Sequence, residues 1–178
     1  MNRGNASMNG YALQQLELAP HDRVLEIGFG GGLILARLLA EAGVVTGLDR
    51  SADAVQAACA KFANDVRAKR AVFVEGNIER MPFVDGSFDK VVTVNTVYFW
   101  ASLADGFSEI HRVLAPEGRL IVGFLPKDRM DRLAMPADIF TSRSPDDLLS
   151  AAGSAGFGSV EISRPDPSTP WALLVARK

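Results

Sequence analysis

Glu26 stands two residues ahead of four glycines packed into five positions, Gly28, Gly30, Gly31 and Gly32. Residues 24–27 read as a buried strand, where another Val or Ile would be the ordinary choice. A carboxylate at that point implies a ligand that carries positive charge. Glycine reaches left-handed backbone and has no Cβ, so a loop rich in it lets the main chain press against a ligand. A strand, a glycine loop and a helix N-terminus in succession build a nucleotide site in α/β proteins. Asp49, 23 residues after Glu26, is the second candidate. It closes the next apolar run, near the offset at which an acid accepts hydrogen bonds from ribose hydroxyls. Its neighbour Arg50 either covers the adenine face or is solvated.

Two ligand classes compete for the loop. A dinucleotide fingerprint is G-x-G-x-x-G, and its third glycine lets helix and strand pack closely. Counted from Gly28, that position holds Leu33. The spacing that fits is E-x-G-x-G-x-G, filled by Glu26, Gly28, Gly30 and Gly32. A pyrophosphate would be repelled by Glu26, whereas an ammonium or sulfonium would be attracted.

The elements that must hold these residues alternate between two periods. Residues 9–18 carry apolar side chains at helical spacing. Strand patterns cover residues 24–27, 44–48, 72–75, 88–94 and 119–124, and helical patterns cover 31–42, 52–66 and 103–114. Ser51 is placed to cap the helix that follows it. This alternation predicts an α/β fold, a parallel sheet covered on both faces. Residues 125–145 lack a period and read as a loop or partial lid. A helix over 146–155, closed by Gly156, precedes two strands, 159–164 and 171–177, joined by Pro165-Asp166-Pro167 as a hairpin.

The glycine stretch resembles the first motif of class I S-adenosylmethionine-dependent methyltransferases. Gly76-Asn77-Ile78-Glu79-Arg80-Met81-Pro82-Phe83, with Asp85-Gly86-Ser87-Phe88-Asp89, resembles the G-D-A-x-x-L-P-F…D-x-S-F-D stretch of the group that includes ubiquinone and menaquinone biosynthesis enzymes. Glu109-Ile110-His111-Arg112-Val113-Leu114-Ala115-Pro116-Glu117-Gly118-Arg119-Leu120 resembles that group's E-x-x-R-V-L-x-P-G-G-x-L. The resemblance runs from about residue 20 to the C-terminus. It implies a Rossmann-like, doubly wound, mostly parallel seven-stranded sheet whose C-terminal hairpin inserts an antiparallel strand. It also implies S-adenosylmethionine as cofactor and S-adenosylhomocysteine as product.

In that family the acid after Gly76 accepts from the adenine amino group and the next backbone N–H meets a ring nitrogen. The resemblance thus assigns Asn77 and Ile78 to the base, Asn77 standing where the acid usually sits. An amide oxygen still accepts, without charge assistance; the alternative is an Asn that satisfies its own turn. Strand C-termini line the ligand crevice in open α/β sheets, which places residues 95–100 near the transferable methyl. Related enzymes use this loop for the methionine end of the cofactor and the start of the acceptor pocket. Asn95 is assigned to the cofactor, and Tyr98 and Trp100 to the acceptor; the alternative for both aromatics is packing. No His, Cys or paired carboxylate falls at the crevice, which leaves Tyr98 as the only candidate acid or base. His111 and His21 read as structural. Closure of the acceptor side falls to Met8 and Tyr11, to the 125–145 loop, or to a second subunit in a homodimer.

The 178 residues fit one domain, partitioned as a short N-terminal helix or lid (1–19), a cofactor-binding core (20–124), the 125–145 loop, and a helix with the hairpin (146–178). Hydrophobic residues make up 48% and charged ones 22%, values of a globular chain. A net charge of −2 offers no basic face, which argues against a nucleic-acid substrate. The single cysteine, Cys59, forms no internal disulfide and reads as a small packed side chain, and no Cys/His spacing suits a metal. No secretory signal and no apolar run of membrane-spanning length is visible, so the expected compartment is the cytoplasm. The expected activity is methyl transfer to a small or medium, apolar or aromatic acceptor, with catalysis mainly by proximity. The alternatives are a non-catalytic cofactor-binding or regulatory subunit, and an NAD(P)-dependent oxidoreductase, which Glu26 and Leu33 disfavour.

Overall fold

A computed structural model describes residues 3–133, 135–136 and 138–178. Its centre is a seven-stranded sheet built from β1 (Arg23–Ile27), β2 (Val44–Asp49), β3 (Ala71–Glu75), β4 (Phe88–Val94), β5 (Leu114–Phe124), β6 (Ser159–Ser163) and β7 (Ala172–Arg177). The spatial order is β3-β2-β1-β4-β5-β7-β6. The first five strands are parallel, and β7 enters antiparallel between β5 and β6. The chain winds from β1 outward to β3 and returns to the other flank of β1 as β4. This reversal opens a crevice beyond the carboxyl ends of β1 and β4.

Both faces are covered. On one lie α1 (Arg3–Leu16), α2 (Leu33–Glu41) and α3 (Ala52–Lys61); their buried side chains, among them Ala12, Leu16, Leu35, Leu38 and Ala58, pack on Val24, Val45, Val92 and Ile121. On the other, α5 (Leu103–Val113) and α7 (Pro145–Ser154) press Phe107, Ile110 and Leu148 against Leu25, Val91, Leu120 and Phe124. Spacings such as Met8, Ala12 and Leu16, or Phe107 and Ile110, set one apolar stripe along each helix. Met8 fits a notch in the sheet at Gly123, where an added Cβ would lie 3.0 Å from its sulfur. No helix of the described residues is long and apolar enough to cross a membrane.

The structure departs from the sequence-based boundaries at four points. The first helix begins at Arg3, earlier than residue 9; residues 1 and 2 of the expected lid lie outside the described residues. The helix expected over 52–66 breaks at Phe62 into α3 and α4 (Ala63–Arg67), because the Phe62 ring turns in against Phe73 at 5.8 Å. Strand β5 starts at Leu114, with the Pro116-Glu117-Gly118 turn carried inside it as an irregularity between the pairs Phe88–Leu114 and Lys90–Arg119. Glu117 takes the left-handed backbone there, at φ 63°. The 125–145 loop contains α6 (Lys127–Met130) and a 3₁₀ turn (Asp131–Leu133), pieces too short to display a period. Its residues 134 and 137 lie outside the described set.

The Glu109–Arg112 motif is a cross-tie. The Arg112 guanidinium donates to both Glu109 oxygens at 2.7 and 2.8 Å, to Asp85 Oδ1 at 2.9 Å, and to the carbonyls of Phe83 and Met81 at 2.7 and 3.1 Å. Glu109 Oε2 in turn accepts the Met81 N–H at 2.8 Å, and the hydrogen bonds from Arg112 hold the Glu109 carboxyl below its usual range. The segment after β3 is thereby fastened to α5, which fixes the loop at residues 76–79. Arg112→Met should strand two partly buried carbonyls and leave Glu109 without its partner, at a cost of about 2 kcal/mol, lowering Tm by roughly 4–8 °C. A melting curve superimposable on that of the wild type would refute the tie.

Candidate functional site

The glycine loop adopts the conformation its spacing implies. Gly28, Gly30 and Gly32 have φ of 70°, 47° and 66°, in the left-handed region, and Gly31 does not. Gly28 is also sterically fixed, since a Cβ there would lie 2.4 Å from Thr96 Cγ2. The loop is held from the neighbouring strand by Asp49. Its Oδ2 accepts the Gly30 N–H at 2.9 Å and its Oδ1 the Ser51 N–H at 3.0 Å. Each oxygen keeps a second lone pair for a ligand. Ser51 caps α3 as expected, accepting from the Ala54 N–H at 3.3 Å.

Two adjoining cavities occupy the crevice. The larger, about 480 Å³, runs past the ends of β2, β3 and β4 and is lined by Gly28, Asp49, Arg50, Asn77, Ile78 and Trp100 among others. The smaller, about 190 Å³, is lined by Asn9, Glu26, Gly28, Phe29, Leu33, Ile34, Val94 and Asn95. Gly28, Val94 and Asn95 belong to both and mark the junction.

Glu26 is 4% exposed, and its Oε2 has no hydrogen-bond partner. Burial, with a smaller contribution from the Asp49 charge, pushes its carboxyl up to about 8. A buried acid with an open oxygen beside a cavity either stays protonated or takes a donor or cation from a ligand. The residues fit S-adenosylmethionine: Glu26 and Asp49 would suit its ammonium and its diol, and two adjoining cavities flank the glycine loop.

Asn95 sits at the left-handed φ of 60° at the end of β4, its N–H donating to the Gly123 carbonyl at 2.8 Å. Asn77 lines the larger cavity while satisfying its own turn, with Oδ1 accepting the Glu79 N–H at 3.3 Å. Ile78 is buried beside it. Arg50, exposed at the rim of the larger cavity, places its guanidinium carbon 5.5 Å from the centre of the Phe99 ring.

Of the residues assigned to the acceptor, Trp100 lines a cavity and Tyr98 and Tyr11 do not. Tyr98 is 3% exposed and does not line either cavity; its hydroxyl accepts the Leu125 N–H. Burial pushes the phenol up to about 12, which removes it as an acid or base near neutrality. Trp100 lines the larger cavity, with its indole N–H on Thr96 Oγ1 at 3.2 Å and its ring against Phe107. Tyr11 faces the C-terminal hairpin, its hydroxyl 2.9 Å from Ser163 Oγ and its ring against Trp171. The helix reaches the site through Asn9 instead. A tyrosine can bury its ring and satisfy its hydroxyl wherever the fold supplies a partner, so residue type alone misleads here.

Glu79, Thr96, Phe99 and Asn9 line the cavities without having been assigned a role from sequence. Phe99 lay within the aromatic run 98–100, where a choice among three rings had no periodic guide. Among the described residues no group of His, Cys, Asp and Glu could hold a metal ion.

A sequence profile of the methyltransferase domain family matches residues 25–122. An uncharacterised methyltransferase of Bacillus subtilis is 29% identical over 70% of this chain and 67% of its own length. A ubiquinone/menaquinone biosynthesis C-methyltransferase of Geotalea daltonii is 28% identical over 65% of this chain, which spans 51% of that protein. A crystal structure of an S-adenosylmethionine-dependent methyltransferase from Mesorhizobium loti superposes with a TM-score of 0.83 at 16% identity, covering 98% of this chain and 100% of the other. The matched profile spans the glycine loop, Asp49, the Asn77 turn and the Glu109–Arg112 tie, and with it the chain belongs to the class I S-adenosylmethionine-dependent methyltransferase family.

Proposed function

We propose that this protein transfers the methyl group of S-adenosylmethionine to a small or medium, apolar or aromatic acceptor, and that it does so mainly by positioning. The observation that carries this reading is the buried Glu26 oxygen left open beside the smaller cavity. When bound, the cofactor supplies a methyl on a sulfonium that leaves without further activation. The chain's own residues have the task of binding and alignment. Glu26 meets the ammonium, Asp49 accepts from the ribose hydroxyls with its remaining lone pairs, and Asn77 and Ile78 address the base. Asn95, at the junction of the cavities, orients the methionine end. Alignment of nucleophile and methyl can supply about 7–11 kcal/mol in favourable cases, so the absence of an assignable base is no obstacle.

Apolar side chains at the openings support the class of acceptor. Leu33 beside the smaller cavity is 48% exposed and Phe99 beside the larger is 38% exposed. Phe99 continues into a ring contact with Phe140 at 4.8 Å. The relative from Geotalea daltonii is named for methylating quinone precursors, a chemistry of the same apolar kind.

Calorimetry with S-adenosylhomocysteine tests the cofactor half of the proposal, and transfer of label from methyl-labelled S-adenosylmethionine to a panel of quinols and phenols tests the acceptor half. Binding without transfer to any acceptor would favour the regulatory-subunit alternative. Asp49→Ala should weaken S-adenosylhomocysteine by about 1.5–3 kcal/mol, roughly 10–150-fold; unchanged affinity would remove Asp49 from the site.

Glu26 makes a pH-dependent prediction. With its carboxyl at about 8, the free protein at pH 7 holds Glu26 mostly protonated. A cationic ligand selects the carboxylate, so binding at pH 7 should release up to about one proton, read from calorimetry in buffers of different ionisation enthalpy. Glu26→Gln should abolish that release and weaken binding about 100-fold or more. Because the folded value lies above the ordinary 4.5, the stability contributed by Glu26 is full below pH 4.5 and drains away as pH rises to about 8. The variant should therefore gain Tm relative to the wild type as pH rises through that window. A difference that stays flat from pH 4.5 to 8 would contradict the assignment.

A further inference from the structure

The residue two places beyond Asn77 is engaged at both ends. Glu79 Oε1 accepts the backbone N–H groups of Ala101, at 2.6 Å, and Ser102, at 3.2 Å, at the entry to α5. Its Oε2 accepts from Asn77 Nδ2 at 2.8 Å, while its own N–H donates to Asn77 Oδ1 at 3.3 Å. The Asn77 amide is thus gripped twice by one residue, nitrogen against a carboxylate and oxygen against an N–H.

This grip matters because an amide has two faces. An acid at position 77 would present only acceptors to a bound base. An asparagine could turn its amide over and offer a donor in place of the acceptor, reading a keto group as readily as an amino group. In the grip described, inversion would set Oδ1 against the Glu79 carboxylate and Nδ2 against an N–H, losing two hydrogen bonds and adding a repulsion. The remaining lone pair of Oδ1 stays available at the cavity that Asn77 and Glu79 both line.

We propose that Glu79 is a positioning residue for base selection: it locks the Asn77 amide with its oxygen as the reading group, so that the site takes an adenine amino group and rejects a hypoxanthine keto group. The inference rests on the cofactor reading above and adds to it a determinant of selectivity.

The replacement Glu79→Gln tests it. The glutamine oxygen is required by Ala101 and Ser102, so its NH2 would face Asn77; either orientation of the amide then makes one hydrogen bond and sets one donor against a donor, and the lock is lost. The full-length wild type should bind S-adenosylhomocysteine at least about tenfold more tightly than S-inosylhomocysteine, and E79Q should shrink that ratio by about tenfold or more. Adding N77D to E79Q should restore the ratio, because a carboxylate has no donor face to present. A ratio of affinities does not depend on the fraction of molecules folded. As a check on the wild type alone, one Asn77 side-chain amide proton should be shifted downfield in nitrogen-15 spectra by its bond to the carboxylate. An E79Q ratio equal to that of the wild type, a double variant without recovery, or Asn77 amide signals at free positions would overturn the proposal. A wild type that binds neither ligand would instead overturn the cofactor reading.

Discussion

The site depends on a buried carboxyl group that the fold leaves unfinished. Moving an acid out of water is costly unless its oxygens find donors, and Glu26 Oε2 finds none within the protein. Strand β1, covered on both faces, offers no route back to solvent. The free protein meets this cost by keeping the group protonated at neutral pH, and the cavity beside it offers the other solution, a ligand cation. Folding stability and ligand affinity are therefore set against each other in a single side chain.

Everything around Glu26 serves to keep that arrangement from relaxing. Gly28 cannot take a side chain because Thr96 lies against it, so the loop and the end of β4 are in contact across the crevice. Asp49 ties the loop to β2 and the start of α3. On the far side, Arg112 fastens the segment after β3 to α5, and Glu79 fastens the base end of the crevice to the entry of the same helix. The crevice walls belong to different strands, and these bridges make them one frame. Preorganisation of this kind is what catalysis by alignment requires.

Much of this was legible in the sequence. The alternation of periods indicated a parallel sheet covered on both faces, and the glycine spacing, with Glu26 ahead of it, located the crevice. Asp49 and Ser51 took up their places because strand end and helix cap are local features. What escaped were relationships between distant segments. The contact of Glu79 with residues 101 and 102 leaves no trace in local composition. Tyr98 and Tyr11 looked available because tyrosine is amphipathic, and only the packed fold reveals that Leu125 and Ser163 claim their hydroxyls. Phe62 ended a helix that propensity would have continued, because its ring was needed in the aromatic contact with Phe73.

The notch at Gly123 has a wider consequence. Met8 sits in it, and the next residue, Asn9, forms part of the wall around Glu26. The first helix is thus keyed to the sheet one position away from where it touches the smaller cavity. It cannot slide or tilt to admit a bulkier guest without pulling the key from its slot. Exchanging the side chain at position 9 would therefore reshape the wall of the smaller cavity around Glu26 on a rod that stays fixed.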